Sequence, residues 1–404
     1  MSIVHAVMQV LLYAGILGLA CSTGFLVLVI YSVWRFRRTR ETSTGFTPRV
    51  TLLKPVCGLE PRLESSLESF FRQDYPEFEV IFGARNHDDP ALRIAEKLQA
   101  KYPHVAVKYA YSGEPTRPNA KVCSMEQMVK LAKTDYYVIS DSDVHVEPNY
   151  LRDIMSPFAD PKIGMVTCLY RGVPTGGLWS RLEALGMSVE MTAGAVSANT
   201  LEGMKFALGP TMVGRRDAIE KVGGMTALLD YCSDDYLLGN WIAEAGWTVL
   251  MSHHVIDHIV LNRSFKDSLA HQVRWMKSTR FSRPKGHFGT VLTFAMPFGV
   301  LSLIGGIGAG QPLFGAGVFA AAIVNRLILS VVAGWGVVRD PNAVKHCWLY
   351  PLRDFMGFCF WLASYSSSEI VWRRERYRLS FGGKMTRISP ERNAAEPVAV
   401  DHSA

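Results

Sequence analysis

Tyr136-Tyr137-Val138-Ile139-Ser140-Asp141-Ser142-Asp143 is the stretch on which the reading of the chain turns. Its first five residues are uncharged and rich in aromatic and β-branched side chains, the composition of a strand buried on both faces. The acidic alternation that follows belongs on a turn. Two carboxylates so placed can aim one oxygen at a hard cation, and Mg²⁺ and Mn²⁺ favour oxygen ligands, with substrate phosphates commonly completing the shell. A nucleoside diphosphate would complete it here. The competing reading is an Asp- and Ser-rich turn that caps the next helix. Its place after a buried strand, downstream of a second acidic strand end, tips the balance toward metal and phosphate.

Outward from that stretch, strand-like runs begin at Val50 (VTLLKPV), Phe78 (FEVIFGA), Val105 (VAVKYA) and Ile163 (IGMVTCL). Helical patterns fall between them, at Arg62–Phe71, Pro90–Ala100, Lys121–Ala132 and Asn149–Phe158. Strands alternating with helices predict an α/β fold around a mainly parallel central sheet. Ligands of such sheets bind beyond the carboxyl ends of the strands. Acidic clusters occupy these places: Asn86-His87-Asp88-Asp89, the Asp141-Ser142-Asp143 turn, and Ser233-Asp234-Asp235-Tyr236 at the start of a helical pattern. Gathered together they would repel, so a divalent metal, basic residues or raised pKa values must supply the balance.

Asp234 and Asp235 have two readings. A carboxylate at a helix start stabilises the helix dipole by roughly 0.3–1 kcal/mol. A second one beside it could face a site and accept a proton, which is typically worth about 10²–10⁴ in rate. His271-Gln272-Val273-Arg274-Trp275 likewise reads either as a basic amphipathic helix lying on anionic lipid or as a group that contacts a departing diphosphate. Leu182–Arg215, rich in Met, Ala and Gly and broken at Gly209-Pro210, reads either as a packed helix pair or as the wall of an acceptor site.

The 404 residues are 49% hydrophobic and 20% charged, which excludes disorder for the bulk of the chain. The net charge of +7 is concentrated beside apolar runs, so lipid headgroups rather than nucleic acid are the expected partner. Seven cysteines without a C-x-x-C pair indicate neither a zinc ribbon nor a disulfide framework, and fit a reducing compartment. Val4 to Trp34 carries no Lys, Arg, Asp or Glu and exceeds the roughly 20 residues needed to cross a bilayer. Arg35, Arg37, Arg38 and Arg40 follow it, which places the next segment in the cytoplasm. Three further apolar stretches are expected to enter the membrane, about Val291–Gly310, Leu313–Val338 and Cys347–Trp372. The last carries Arg353, Asp354 and Glu369, which must pair, line a polar cavity or lie near an interface. Four full crossings would put the basic tail outside, against its charge, so one C-terminal stretch is expected to be re-entrant or interfacial. The expected division is a transmembrane helix over 1–34, a cytoplasmic catalytic domain over 35–287, membrane segments over 288–372 and a partly disordered basic tail over 373–404.

These features together resemble the ceramide glucosyltransferase family, inverting transferases with a GT-A nucleotide-sugar-binding domain. The resemblance runs from about Val50 to Met385 through LLKPVCG at Leu52, DYP at Asp74, HDDP at His87, DSD at Asp141, DDY at Asp234, RW at Arg274, and VWRRERYRL leading to GG near Gly382. The segment TCLYRGVPTGGLWSRLEAL from Thr167 looks like bacterial members, including relatives associated with hopanoids. The resemblance implies that Asp89 contacts the uracil end of a UDP-sugar and Asp141 the nucleoside region, that Asp143 binds Mg²⁺ or Mn²⁺ on the diphosphate, and that Asp235 is the base. Arg274 and Trp275 would support the leaving group. Lys121, in PNAK, matches a family lysine that approaches the donor, or is a solvated lysine at a helix start. His271 departs from the family's usual Gln or Arg. The activity implied is transfer of a sugar, glucose in the family, to the primary hydroxyl of a membrane lipid, ceramide or a hopanoid. Other readings are a hopanoid-modifying N-acetylglucosaminyl-type transferase, a processive polysaccharide synthase, and a non-catalytic tethered binding protein.

Overall fold

The computed structural model describes residues 3–39, 44–262, 264–372 and 375–388. The charge-free start of the chain forms one helix, α1 (Ile3–Arg38). The α/β region then runs β1 (Val50–Pro55), α2 (Leu63–Phe71), β2 (Phe78–Ala84), α3 (Pro90–Lys101), β3 (Ala106–Tyr111), α4 (Ala120–Leu131), β4 (Tyr136–Ser140), β5 (Val144–His145) and α5 (Tyr150–Met155). After it come β6 (Ile163–Pro174), α6 (Gly177–Leu185), a π-turn (Gly186–Met191), α7 (Thr192–Glu202), β7 (Thr211–Arg215), α8 (Arg216–Lys221), α9 (Asp234–Glu244) and β8 (Thr248–Val260). The remainder is α10 (Phe265–Ser282), α11 (Pro284–Gly289), α12 (Met296–Gly308), α13 (Pro312–Leu329), α14 (Pro341–Lys345), α15 (Tyr350–Ala363) and the strands β9 (Glu369–Trp372), β10 (Glu375–Ser380) and β11 (Lys384–Arg387).

The eight-stranded sheet has the order β3-β2-β1-β4-β7-β6-β8-β5. The β3-β2-β1-β4 half and the β6-β8 pair are parallel, as the sequence predicts. β7 runs antiparallel to both β4 and β6, and β5 antiparallel to β8. After β1 the chain builds outward through β2 and β3, then returns to lay β4 on β1's other side. Such a reversal of strand order opens a crevice at the carboxyl ends, and Lys54, Ser140 and Asp141 lie there. The uncharged runs are buried as their composition requires, with Leu52, Leu53, Val138 and Ile139 fully inaccessible.

α1 is more than a tether. Leu26, Val29, Val33 and Phe36 on its second half join the core of the α/β region, and His253 of β8 stacks on Phe36 with ring centres 4.2 Å apart. Its first half packs on α12 through glycines: a Cβ on Gly305 would stand 2.4 Å from the Leu12 nitrogen, and one on Gly15 2.2 Å from Ser302 Oγ. Small residues bring helix backbones together where water supplies no driving force.

Among the described residues, two helices are long and apolar enough to cross a membrane, Ile3–Arg38 and Pro312–Trp335. A third span results only if Pro284–Thr293 and Met296–Gly308, bent by 50°, count as one. The expected stretch Cys347–Trp372 is not among these helices: it holds a short turn at Cys347–Leu349 and the 14-residue α15, about 21 Å long at 1.5 Å per residue, before turning into β9. Its charges are paired. Arg326 Nη1 meets Asp354 Oδ1 at 2.8 Å, Arg353 meets Glu190 at 2.8 Å, and Glu369, on β9, meets Arg376 at 2.6 Å. Part of the basic tail is ordered: β10 and β11 pair with β9 in a three-stranded antiparallel sheet. The residues after Ile388, which include the last dozen or so expected to be disordered, lie outside the described residues, as does Arg263.

Candidate active site

The crevice starts from two lysines that offset the acidic charge. Lys54, fully buried on β1, donates from Nζ to the Asp141 carbonyl at 2.5 Å and lies 3.7 Å from the centre of the Phe70 ring. Burial lowers its pKa to about 7, against the pull of Asp141, Asp143 and Glu60. Lys121 opens α4, and Asn119 caps that helix by accepting from the Val122 N–H at 3.1 Å. Lys121 Nζ reaches Asp141 Oδ1 at 2.6 Å and stands 4.0 Å from Asp234 Oδ2. Burial opposes the charge of Lys121, yet Asp141 and Asp234 carry its pKa above the ordinary lysine value. Lysine-121 is therefore an ion-pair partner inside the crevice and not a solvated helix-start residue.

The Asp141-x-Asp143 turn divides its two acids. Burial, helped by Asp143, pushes the Asp141 carboxyl up in spite of Lys121. Asp143 moves the other way: burial works against its charge, but the neighbouring His258 holds it below the usual range. His258 Nε2 lies 3.2 Å from Asp143 Oδ2, and β8 fixes the turn through the Ile259 N–H, which donates to the Asp143 carbonyl at 2.8 Å. Asp143 Oδ1 is buried and has no hydrogen-bond partner. A lone buried carboxylate oxygen fits Mg²⁺ or Mn²⁺, hard cations that prefer oxygen ligands and that a single carboxylate would leave largely to phosphate oxygens. No group of three or more His, Cys, Asp or Glu side chains with metal-holding geometry occurs among the described residues.

α9 brings the third acidic cluster to the same place. Asn119 Nδ2 donates to Asp234 Oδ1 at 3.3 Å and to the Tyr231 carbonyl at 2.8 Å. Asp235 packs over Gly209, where a Cβ would stand 2.7 Å from its Oδ2. The adjoining Pro210 carbonyl accepts from the Asp141 N–H at 3.1 Å. Gly209-Pro210 thus ties Asp235 to the turn. Burial, then the charges of Asp234 and Asp141, raise the Asp235 pKa to about 6.

Asp89 and the Arg274-Trp275 pair are bound up differently. Asp89 caps α3, accepting from the Ala91 N–H at 2.9 Å, and its oxygens take the Gly58 N–H at 2.9 and 3.1 Å. It fastens the loop after β1 to the end of β2. Arg274 lies with its guanidinium 5.7 Å from the Trp372 ring centre. The Trp275 ring lies tilted against that of His271, with centres 4.3 Å apart. One turn further along α10, Ser278 Oγ lies 2.7 Å from Ser233 Oγ, immediately before Asp234. His271 itself is paired at 2.8 Å with Glu183, a fully buried carboxylate that also accepts from Ser268.

Lys54, His258 and Glu183 received no role from sequence reasoning. A single charge inside an otherwise apolar strand was a usable signal for Lys54. His258 needed the register of β8, in which His254, Ile256 and His258 share one face.

A mainly parallel, curled α/β sheet with acids gathered at its strand ends is a GT-A-like fold. The mannosyltransferase PcManGT from Pyrobaculum calidifontis, in complex with GDP-Man and Mn²⁺, shares it at a TM-score of 0.55 and 18% identity, over 88% of this chain and 97% of that one. Residues 12–385 match glycosyl transferase family 21, and the chain belongs to that family of sugar-transferring enzymes. Ceramide glucosyltransferase 1 of Caenorhabditis elegans is 24% identical over 94% of this chain and 82% of its own length. Ceramide glucosyltransferase 3 of the same animal is 21% identical over 89% and 79%. The ceramide glucosyltransferase of Komagataella phaffii is 38% identical over 101 residues, 24% of this chain and 20% of its own length.

Proposed function

We propose that this enzyme moves a sugar from a UDP-sugar to the primary hydroxyl of a membrane lipid, with inversion at the anomeric carbon. The observation that carries the reading is Asp235: a carboxylate at the start of α9, seated over Gly209 and tied through Pro210 to the Asp141-x-Asp143 turn. With a pKa of about 6 it is mostly ionised at neutral pH yet basic enough to take a proton from an attacking hydroxyl. Asp143, its carboxylate steadied by His258, would hold Mg²⁺ or Mn²⁺, which when bound offsets the charge of the departing UDP. Lys121 keeps Asp141 oriented toward the donor, and Asp89 holds the loop after β1 where the uracil would lie. Arg274 and Trp275, carried on α10 beside Ser233, support the leaving group after a movement of the Arg274 side chain from Trp372.

A lipid acceptor is supported by the merging of α1 with the core, which keeps the α/β domain beside the membrane that α1 would cross. The matched relatives are ceramide glucosyltransferases by name, so ceramide and glucose are the first expectation, with the 35–287 region facing the cytoplasm. The test is incubation of purified protein with a panel of UDP-sugars and with ceramide and hopanoid acceptors, followed by mass spectrometry of the extracted lipid. One glycolipid, lost in Asp235→Asn by a factor of about 10²–10⁴, is the expected result. A long polymer would replace this reading by a processive synthase, and unchanged transfer in Asp235→Asn would remove the base assignment. Binding of donor with no transfer to any acceptor would leave a tethered binding protein.

A further inference from the structure

A second polar space lies where α1, the π-turn and the C-terminal helices meet. It is a cavity of about 110 Å³ lined by Phe25, Glu190, Gly194, Arg326, Tyr350 and Asp354 among others. Glu190 is held at 2.8 Å by Arg353 and Asp354 at 2.8 Å by Arg326, so two carboxylates face two guanidinium groups. The charges cancel, and a neutral ligand with hydrogen-bonding groups is the one such a lining suits; a phosphate would meet two carboxylates. Arg353 is buried, with Nε and Nη1 lacking hydrogen-bond partners. Gly186 of the π-turn makes room for it, since a Cβ there would lie 2.3 Å from Nε. Its Nη2 also donates to Gln272 at 3.1 Å, which links the cavity to α10.

Two further observations connect this space with the aspartates and with the bilayer. Tyr170 of β6 is buried and its hydroxyl pKa is raised by burial and then by both Asp235 and Glu190, so it lies within electrostatic reach of each. Gly194 is exposed, and a Cβ added there meets nothing within 4 Å. At roughly 30 Å³ per water, the space admits a few heavy atoms of a headgroup and no alkyl chain. Chains have a place outside, along the exposed Val27, Ile30, Tyr31 and Trp34 of α1.

We propose that this cavity receives the polar head of the lipid acceptor, a neutral lipid bearing hydroxyl and amide groups, with Glu190 as its hydrogen-bonding partner and Gly194 at the entrance. The proposal rests on the lipid-acceptor reading and adds the place and the residues. The probe is a ceramide carrying a diazirine near the amide, photolysed with the full-length protein in phosphatidylcholine nanodiscs and mapped by mass spectrometry. Label is expected within residues 186–195, displaced by unlabelled ceramide but not by phosphatidic acid. Gly194→Leu abolishes it, whereas Gly317→Leu, at another position where a Cβ meets nothing, leaves it. In turnover, Glu190→Gln and Gly194→Leu raise the lipid KM about tenfold with the donor KM unchanged, and thermal unfolding confirms that both variants are folded. Label confined to the outer helix faces, equal loss in Gly317→Leu, or equal competition by phosphatidic acid would overturn the site. Labelling needs no turnover, so the two readings fail separately: transfer without cavity label removes the site alone, and cavity label without any transfer removes the glycosylation reading alone.

Discussion

Asp235 and Gly209 are a pair in which one residue's chemistry depends on the other's lack of a side chain. A methyl group at Gly209 would stand 2.7 Å from Asp235 Oδ2, well inside contact distance, and the carboxylate is the part that can yield. Gly209→Ala is therefore expected to fold and bind donor normally while kcat falls by about 10- to 100-fold, because small displacements of reacting groups are costly; single-turnover kinetics would show it. The pKa of about 6, raised from 3.8, makes two effects of opposite sign. Acting as a base, Asp235 loses activity as pH falls, so kcat/KM for the acceptor should show an acidic limb near 6 that Asp235→Asn lacks. For stability, the folded state binds this proton more tightly than the unfolded one, so stability rises as pH falls from about 6 toward 4. Asp235→Asn should accordingly raise the unfolding midpoint at pH 7 but not at pH 4. Asp141, Asp143 and Asp235 were legible as residues because acids at strand ends and helix starts are conspicuous. The partners that set the ionisation of Asp143 were not: Lys54 and His258 reach the crevice by sheet register, which spacing along the chain does not report.

At the scale of elements, runs with a single environment were legible and mixed ones were not. β1, β2 and β4 are buried along nearly their whole length, and their composition says so. The Cys347–Trp372 stretch has comparable apolarity but carries Arg353 and Asp354, and it ends as α15 and a strand. Its charges hold α15 to its neighbours. Asp354 Oδ1 accepts from Arg326 of α13, while Oδ2 accepts from the Ala295 and Met296 N–H groups at 3.0 and 2.9 Å, at the start of α12. One carboxylate thus joins three helices, with the helix-start dipole adding to the ion pair. Removing one member of a buried pair strands the other, at a cost of about 3–5 kcal/mol, whereas replacing both by apolar groups of similar volume is far less harmful. Asp354→Leu and Arg326→Met should each lower thermal stability in detergent sharply, and the double variant should recover much of the loss. Additive losses would mean that the pair is not a coupled unit.

For the whole molecule, the course of the tail bears on the parity conflict in the sequence. The Met385 N–H donates to the Asp230 carbonyl at 2.6 Å and the Cys232 N–H to the Gly383 carbonyl at 3.0 Å, so the end of the described chain lies on the α/β domain beside α9. The number of crossings between α1 and that hairpin must then be even. α12 has 13 residues, about 20 Å of helix, short of a hydrocarbon core of about 30 Å. It runs back along α1, however, until a Cβ on Gly308 would lie 2.4 Å from Met8 Cγ, near the start of α1. α13 returns from there toward Arg326 and Ser22. With the bent approach through Pro284–Thr293 included, α12 and α13 run up and down along α1, and an even count of crossings predicts that their turn lies on the membrane face opposite the domain. Leu313, 88% exposed, is at that turn, and Phe381, 85% exposed, marks the domain side. A membrane-impermeant maleimide should therefore label Leu313→Cys in intact cells and Phe381→Cys only after the cytoplasmic face is opened, in a background with the exposed Cys57 and Cys359 replaced. Labelling of Leu313→Cys from the domain side alone would make the hairpin re-entrant and leave α1 as the single crossing; labelling of both positions in intact cells would invert the orientation that the arginines after Trp34 imply.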